Sequence, residues 1–164
     1  MSTRIHHVLF ICTHNSARSI MAEGLLKGLG PSRFRAWSAG SQPRGEVHPL
    51  ALRTLQRMRM PSEGFRSKDW LEFAQADAPA MDFVFTVCDN AAGEVCPVWP
   101  GQPVTAHWGV PDPGLADGDE AAREQAFWAA ALTLKRRIEL MLTLPIESLD
   151  RLALQRDVRE IGKR

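Results

Sequence analysis

Three cysteines, one arginine and one aspartate carry the chemistry this chain has on offer. Cys12 closes a short apolar run, and five residues separate it from Arg18. The stretch from Val8 to Ser19 reads as strand, tight polar loop and helix start. A chain folded that way turns successive backbone N–H groups inward at the positive end of a helix, which makes a site for a tetrahedral oxyanion. Arg18 adds a planar guanidinium that can grip two oxygens at once. Thr13, His14, Asn15, Ser16, Ala17, Arg18 and Ser19 are therefore the candidate oxyanion-binding residues. The thiol of Cys12 sits where the anion would bind, so the site contains its own nucleophile. Donors that hold an oxyanion also favour a thiolate, and the context predicts a lowered Cys12 pKa. Ser19 offers the sulfur one more hydrogen bond. Asn15 and Ser16 tolerate unusual backbone angles and brace the loop, while His14 tunes charge or lines the rim. The loop has no Gly-Lys-Ser/Thr, so it is not a nucleotide-binding Walker sequence.

Displacing an oxygen leaving group needs a proton donor in line with the nucleophile. His107-Trp108-Gly109-Val110-Pro111-Asp112-Pro113-Gly114 offers Asp112, on a Pro/Gly-rich loop able to swing over the site. The plainer reading of Asp112-Pro113 is a turn start, and His107 and Trp108 read as packing residues. Cys88 and Cys96 lie together in a second loop, separated by seven small or polar residues. They read either as small buried hydrophobes or as a reactive pair. A zinc site is disfavoured, because no second close Cys/His pair accompanies them.

These residues need a scaffold. The chain has 164 residues, enough for one domain with a sizeable core. Its formal net charge of +1 gives no bulk attraction to nucleic acid or membrane. No apolar run approaches the roughly 18–20 residues that span a bilayer. The N-terminus lacks the pattern of a secretory signal, which predicts a cytoplasmic protein with reduced thiols. Strands are predicted over 5–11, 34–38, 81–87 and 104–107. Helices are predicted over 19–29, 49–58, 119–144 and 149–161, the last capped by Ser148, with a short helical turn over 68–73. Strands alternating with helices imply an α/β fold with a parallel sheet covered on both faces, and ligands in such sheets bind at the carboxyl ends of the strands. Cys12, Cys88 and the loop after His107 all fall there. Residues 1–145 read as one domain and 146–164 as a helical extension that packs on it or serves dimer contact.

Cys12–Ser19, the Ser38-Ala39-Gly40 turn and Asp112-Pro113 together resemble the low-molecular-weight protein tyrosine phosphatase family. The resemblance covers about residues 5–143 and implies a three-layer fold with a four-stranded parallel sheet. It also implies Cys12 as nucleophile, Arg18 as oxyanion clamp and Asp112 as general acid. The Cys88/Cys96 pair and the His-Trp-Gly stretch are similar to the thiol-dependent arsenate reductases built on that fold. That resemblance implies a relay from Cys12 to Cys88 to Cys96, with no bound cofactor and thioredoxin, or glutaredoxin with glutathione, as external reductant. The Cys88–Cys96 spacing is one residue longer than in the best-known thioredoxin-linked members. The oligomeric state stays open between monomer and homodimer. The other enzymatic reading is a phosphatase acting on phosphotyrosine or small aryl phosphates through a cysteinyl-phosphate. The chain has no tyrosine, and Gly114-Leu115-Ala116 after Asp-Pro makes a poor aromatic wall unless Trp99 or Trp108 supplies one. A non-catalytic oxyanion or redox sensor is a third reading, for which a nucleophile and an in-line acid have no use.

Overall fold

The computed structural model describes residues 4–88, 99 and 101–164. The chain opens with β1 (His6–Ile11), an almost wholly buried HHVLFI strand. Next come α1 (Arg18–Leu29), β2 (Phe34–Ala39) and α2 (Pro49–Arg57). After a short 3-10 turn at Trp70–Phe73 follow β3 (Phe83–Thr86) and β4 (Val104–His107). A second 3-10 turn at Pro113–Leu115 precedes α3 (Glu120–Leu142) and α4 (Arg151–Ile161). The strands form a parallel sheet of order β2-β1-β3-β4. With helices packed around the sheet, this is the α/β class that the alternation predicts.

Central β1 is flanked on both sides, and Val8 to Ile11 have no exposed surface, as expected of a parallel strand buried on both faces. Phe85 of β3 stacks on Trp108 with ring centroids 4.0 Å apart, which ties the end of β4 into the core. α1 packs against β2, α2 and α3, while α4 lies along β4, the sheet's edge. Because β1, β3 and β4 run the same way, Ile11 pairs with Thr86 and Thr86 with His107. Their carboxyl ends therefore line up, and Cys12, Cys88 and the loop after His107 emerge together.

The observed boundaries differ from the predicted ones for local reasons. The last helix is capped by Asp150, whose carboxylate accepts from Ala153 N–H at 2.8 Å. Ser148 instead ends a 3-10 turn at Ile146–Ser148, and a carboxylate held two residues closer takes the orphan donor. α3 stops at Leu142, short of 144, because the residue before Pro145 is pushed out of helical geometry. The short helical turn starts at Trp70, since Lys68 O is used by Gly40 N–H at 2.9 Å. Among the described residues no helix is long and apolar enough to cross a membrane.

Candidate active site

The loop after β1 does what its composition asks. Asn15 takes a left-handed conformation with φ of 46°, which an asparagine tolerates better than most residues. α1 begins after Ala17 with no side-chain cap, and of its first N–H groups that of Ser19 already serves the Cys12 sulfur. Cys12, His14, Ser16, Ala17, Arg18, Arg44, His48, Asp112, Gly114 and Leu115 line a cleft of about 90 Å³.

Cys12 is buried, with its Sγ 2.9 Å from Ser19 Oγ. Burial pushes its thiol above the ordinary value, and nearby Cys88 adds to this. The Ser19 hydroxyl and backbone N–H, and the Arg18 guanidinium, pull the other way. The predicted depression is therefore reversed: the donors are present, but desolvation of a thiolate this deep outweighs them.

Arg18 links the two halves of the site. Its Nη1 donates to Val110 O at 3.0 Å, and its Nη2 lies 3.6 Å from Asp112 Oδ2. Asp112 Oδ1 accepts from Gly114 N–H at 2.9 Å, which is the turn that Asp-Pro predicts. One oxygen builds the turn, and the other is left on the Arg18 side of the cleft.

Behind the loop runs a buried polar chain. Asn15 Nδ2 donates to Ser19 Oγ at 2.8 Å and to Ser38 Oγ at 3.0 Å, and Asn15 Oδ1 accepts from Lys68 N–H at 2.9 Å. Ser38 donates to Glu23 Oε1 at 2.5 Å, and Glu23 Oε2 meets Lys27 Nζ at 2.6 Å. Lys68 Nζ lies 3.4 Å from Ser38 Oγ and 3.8 Å from Glu23. Gly40 closes this rear wall. A Cβ there would stand 2.5 Å from Thr13 O and 2.6 Å from Cys12 O, so only glycine lets the loop lie this close.

Cys88 is also buried, and its Sγ accepts from Thr13 N–H at 3.3 Å, with Thr13 Oγ1 at 3.6 Å. Thr13, predicted as an oxyanion donor, thus turns its N–H to the second thiol, because that group faces β3 across the parallel pair. Asn15 and Ser19 brace the loop from behind. His14, Ser16, Ala17 and Arg18 face the cleft. Cys96 lies outside the described residues.

Two cleft residues carry no mark in the motifs read from the sequence. Arg44 stands at the rim, its N–H bonded to His14 O at 3.0 Å. His48 caps α2, with Nδ1 accepting from Leu50 N–H at 3.1 Å. Burial, then Arg123 and Arg44, hold its imidazole below the ordinary value against the opposing pull of Asp112. His-Pro ahead of a helical pattern is a readable cap signal. The rim position of Arg44 has no local signal. The two tryptophans considered for an aromatic wall are elsewhere: Trp108 is stacked in the core, and buried Trp99 faces Trp70 edge-on at 6.2 Å.

This geometry is that of a phosphatase-type anion loop. The model of the family described as low molecular weight phosphotyrosine protein phosphatase matches residues 7–153, and the chain belongs to that family. Within it, the chain is similar to an arsenate reductase of Halalkalibacterium halodurans, 31% identical over 132 residues, which are 80% of this chain and 91% of the relative. It is also similar to a glutaredoxin arsenate reductase of Synechocystis, 30% identical across 82% of this chain and 95% of the relative. Among solved structures, an arsenate reductase in the phosphate binding state aligns with a TM-score of 0.68 at 28% identity, over 82% of this chain and 95% of that one.

Proposed function

We propose that the protein is a thiol-dependent arsenate reductase that converts arsenate to arsenite and serves arsenic detoxification in the cytoplasm. The observation that carries this reading is Cys88 Sγ on the Thr13 N–H, one residue along the backbone from the nucleophile. A hydrolase needs no second thiol there. The absence of Phe, Trp or Tyr among the described residues lining the cleft also weighs against phosphotyrosine.

In this mechanism the Cys12 thiolate attacks arsenic, and an oxygen leaves as water with the proton from Asp112. Arg18 and the loop N–H groups hold the remaining oxygens. Cys88 thiolate then attacks Cys12 Sγ. A sulfur–sulfur bond forms, the sulfur–arsenic bond breaks, and its electron pair reduces arsenic(V) to arsenic(III), which departs as arsenite. Cys96 attacks Cys88, freeing Cys12 and leaving a Cys88–Cys96 disulfide. A dithiol protein such as thioredoxin, or glutaredoxin with glutathione, reduces it. Each transfer is thiolate attack on an electrophilic sulfur. The family resemblance, not a distance, supports the part given to Cys96. The same Cys12, Arg18 and Asp112 would hydrolyse an aryl phosphate, which keeps phosphatase activity as the second reading.

The test is Cys88→Ser, assayed for arsenate-dependent thiol oxidation with thioredoxin and glutaredoxin systems side by side. Arsenate turnover falls to background while hydrolysis of 4-nitrophenyl phosphate persists. Parallel loss of both activities would sink the relay.

A further inference from the structure

We infer that the C-terminal helix α4, through Trp108, and Arg137 of α3, through Gly109, together position the acid loop. The inference rests on the reading of Asp112 as general acid. The family match ends at residue 153, three residues into α4, so most of this helix lies beyond the matched range.

β4 is an edge strand, and edge backbone groups need partners. Here α4 supplies them from its side chains. Thr105 O accepts from Gln155 Nε2 at 3.2 Å and Arg159 Nε at 3.3 Å, and Pro103 O accepts from Arg151 Nη2 at 3.3 Å. The contacts then continue past the strand into the segment leading to Asp112. Trp108, fully buried, donates its indole N–H to Val158 O at 2.9 Å. Val158 lies in the last turn of α4, where carbonyls lack intrahelical partners. Thus the indole fills an orphan acceptor while its ring stays stacked on Phe85. Gly162 ends the helix directly against His107 O and Trp108, where a Cβ would collide with both. Arg137 of α3, buried at 7% exposure, donates Nη1 to Gly109 O at 3.0 Å and Nε to Arg164 O at 3.3 Å. Val110 follows, its N–H on Val87 O at 3.1 Å and its carbonyl on Arg18.

Residues 108, 109 and 110 are therefore each fixed from a different direction: the C-terminal helix, α3 and the anion loop. Asp112 is two residues further on. A proton donor must be placed to a fraction of an ångström, and a misplacement of about 1 Å costs on the order of 100-fold in rate. A loop rich in Pro and Gly does not hold such a position by itself. The carbonyls at 109 and 110 and the indole at 108 act as its fixed stem.

The experiment uses the full chain with Arg137→Gln, Arg137→Lys, Trp108→Phe and, as reference, Asp112→Asn. General acid catalysis matters most when the leaving group is poor, so phenyl phosphate is compared with 4-nitrophenyl phosphate. Arg137→Gln and Trp108→Phe lower kcat on phenyl phosphate about tenfold, below the full range of a general-acid contribution. They lower kcat much less on 4-nitrophenyl phosphate, with KM little changed on either, and Arg137→Lys recovers part of the loss. Hydrogen exchange speeds up in 107–116 and not in 12–19. Equal loss on both substrates, or unchanged exchange in 107–116, overturns the inference. If Asp112→Asn shows the leaving-group split and Arg137→Gln does not, this inference falls alone. If Asp112→Asn itself shows no split, the acid assignment falls, and the inference with it. Failure of the wild type to reduce arsenate removes the arsenate reading without touching the split.

Discussion

Cys12 and Cys88 sit just past the ends of neighbouring parallel strands, with 3% and 1% of their surface exposed, yet their surroundings differ in kind. Cys12 is followed by a loop that returns the Ser19 hydroxyl and backbone N–H to its sulfur and sets the Arg18 charge near it, all within seven residues. Cys88 accepts from Thr13, which belongs to the other thiol's loop. The first thiol takes its stabilising donors from its own local sequence, although burial outweighs them. The second is brought to the site by topology, because β3 pairs with β1 in a register that sets Thr86 opposite Ile11. Reactivity is a property of a dozen contiguous residues, whereas adjacency of two thiols is a property of the whole sheet.

The largest effect expected on this contrast is from Cys12→Ser. Arsenate-dependent turnover and aryl phosphate hydrolysis both drop to background, while oxyanion binding, measured by calorimetry with inorganic phosphate, persists because the donors remain. Residual arsenate reduction would mean that the two thiols are not ordered as described. Next is Gly40→Ala. The added Cβ would meet two backbone carbonyls, at 2.5 and 2.6 Å, and neither can swing aside as a flexible side chain would. Overpacking of this kind costs about 1–3 kcal/mol, read as a lowered urea midpoint, and it deforms the Cys12 loop first. Mild alkylation followed by peptide mapping should show altered labelling at Cys12 and little change at Cys88. An unchanged midpoint would mean that the loop is slack.

The same contrast explains what is legible in the sequence. Cys12 to Ser19 can be read because its partners are close in the chain, and the Asp112 loop because Asp-Pro carries its own turn chemistry. The parallel α/β architecture follows from alternation of strand and helix patterns. The polar chain behind the loop is not legible. Glu23, Ser38 and Lys68 come from α1, β2 and the segment before the 3-10 turn, and nothing local marks a lysine as buried at 8% exposure beside a glutamate. Nor does the sequence show that burial outweighs the donors at Cys12, since depth is set by the sheet and not by the loop.

That balance yields a pH test. A thiol whose pKa is raised is mostly neutral below that pKa, so its thiolate fraction and its alkylation rate climb with pH on the alkaline side of neutrality. Ser19→Ala removes the hydroxyl that lowers the Cys12 value. The rising limb then moves to higher pH. At fixed neutral pH the rate of iodoacetamide reaction falls about tenfold for each whole pH unit the limb moves. A limb that stays put would assign activation to the backbone and Arg18 alone.

The smallest effect probes the seam between the two thiols. Thr13→Val keeps the shape of the side chain and the backbone N–H on Cys88, but removes the hydroxyl 3.6 Å from its sulfur. A single hydrogen bond is worth about 0.5–1.5 kcal/mol, and one to sulfur at this length belongs at the low end. In a Cys96→Ser background, where the proposed relay would stop at the Cys12–Cys88 disulfide, the variant should form that disulfide about two- to threefold more slowly when arsenate is added as oxidant, with a smaller change in alkylation of Cys12. A larger loss at Cys12 than at the disulfide step would mean that Thr13 serves the anion loop, and the division of labour between local sequence and topology would have to be redrawn at that residue.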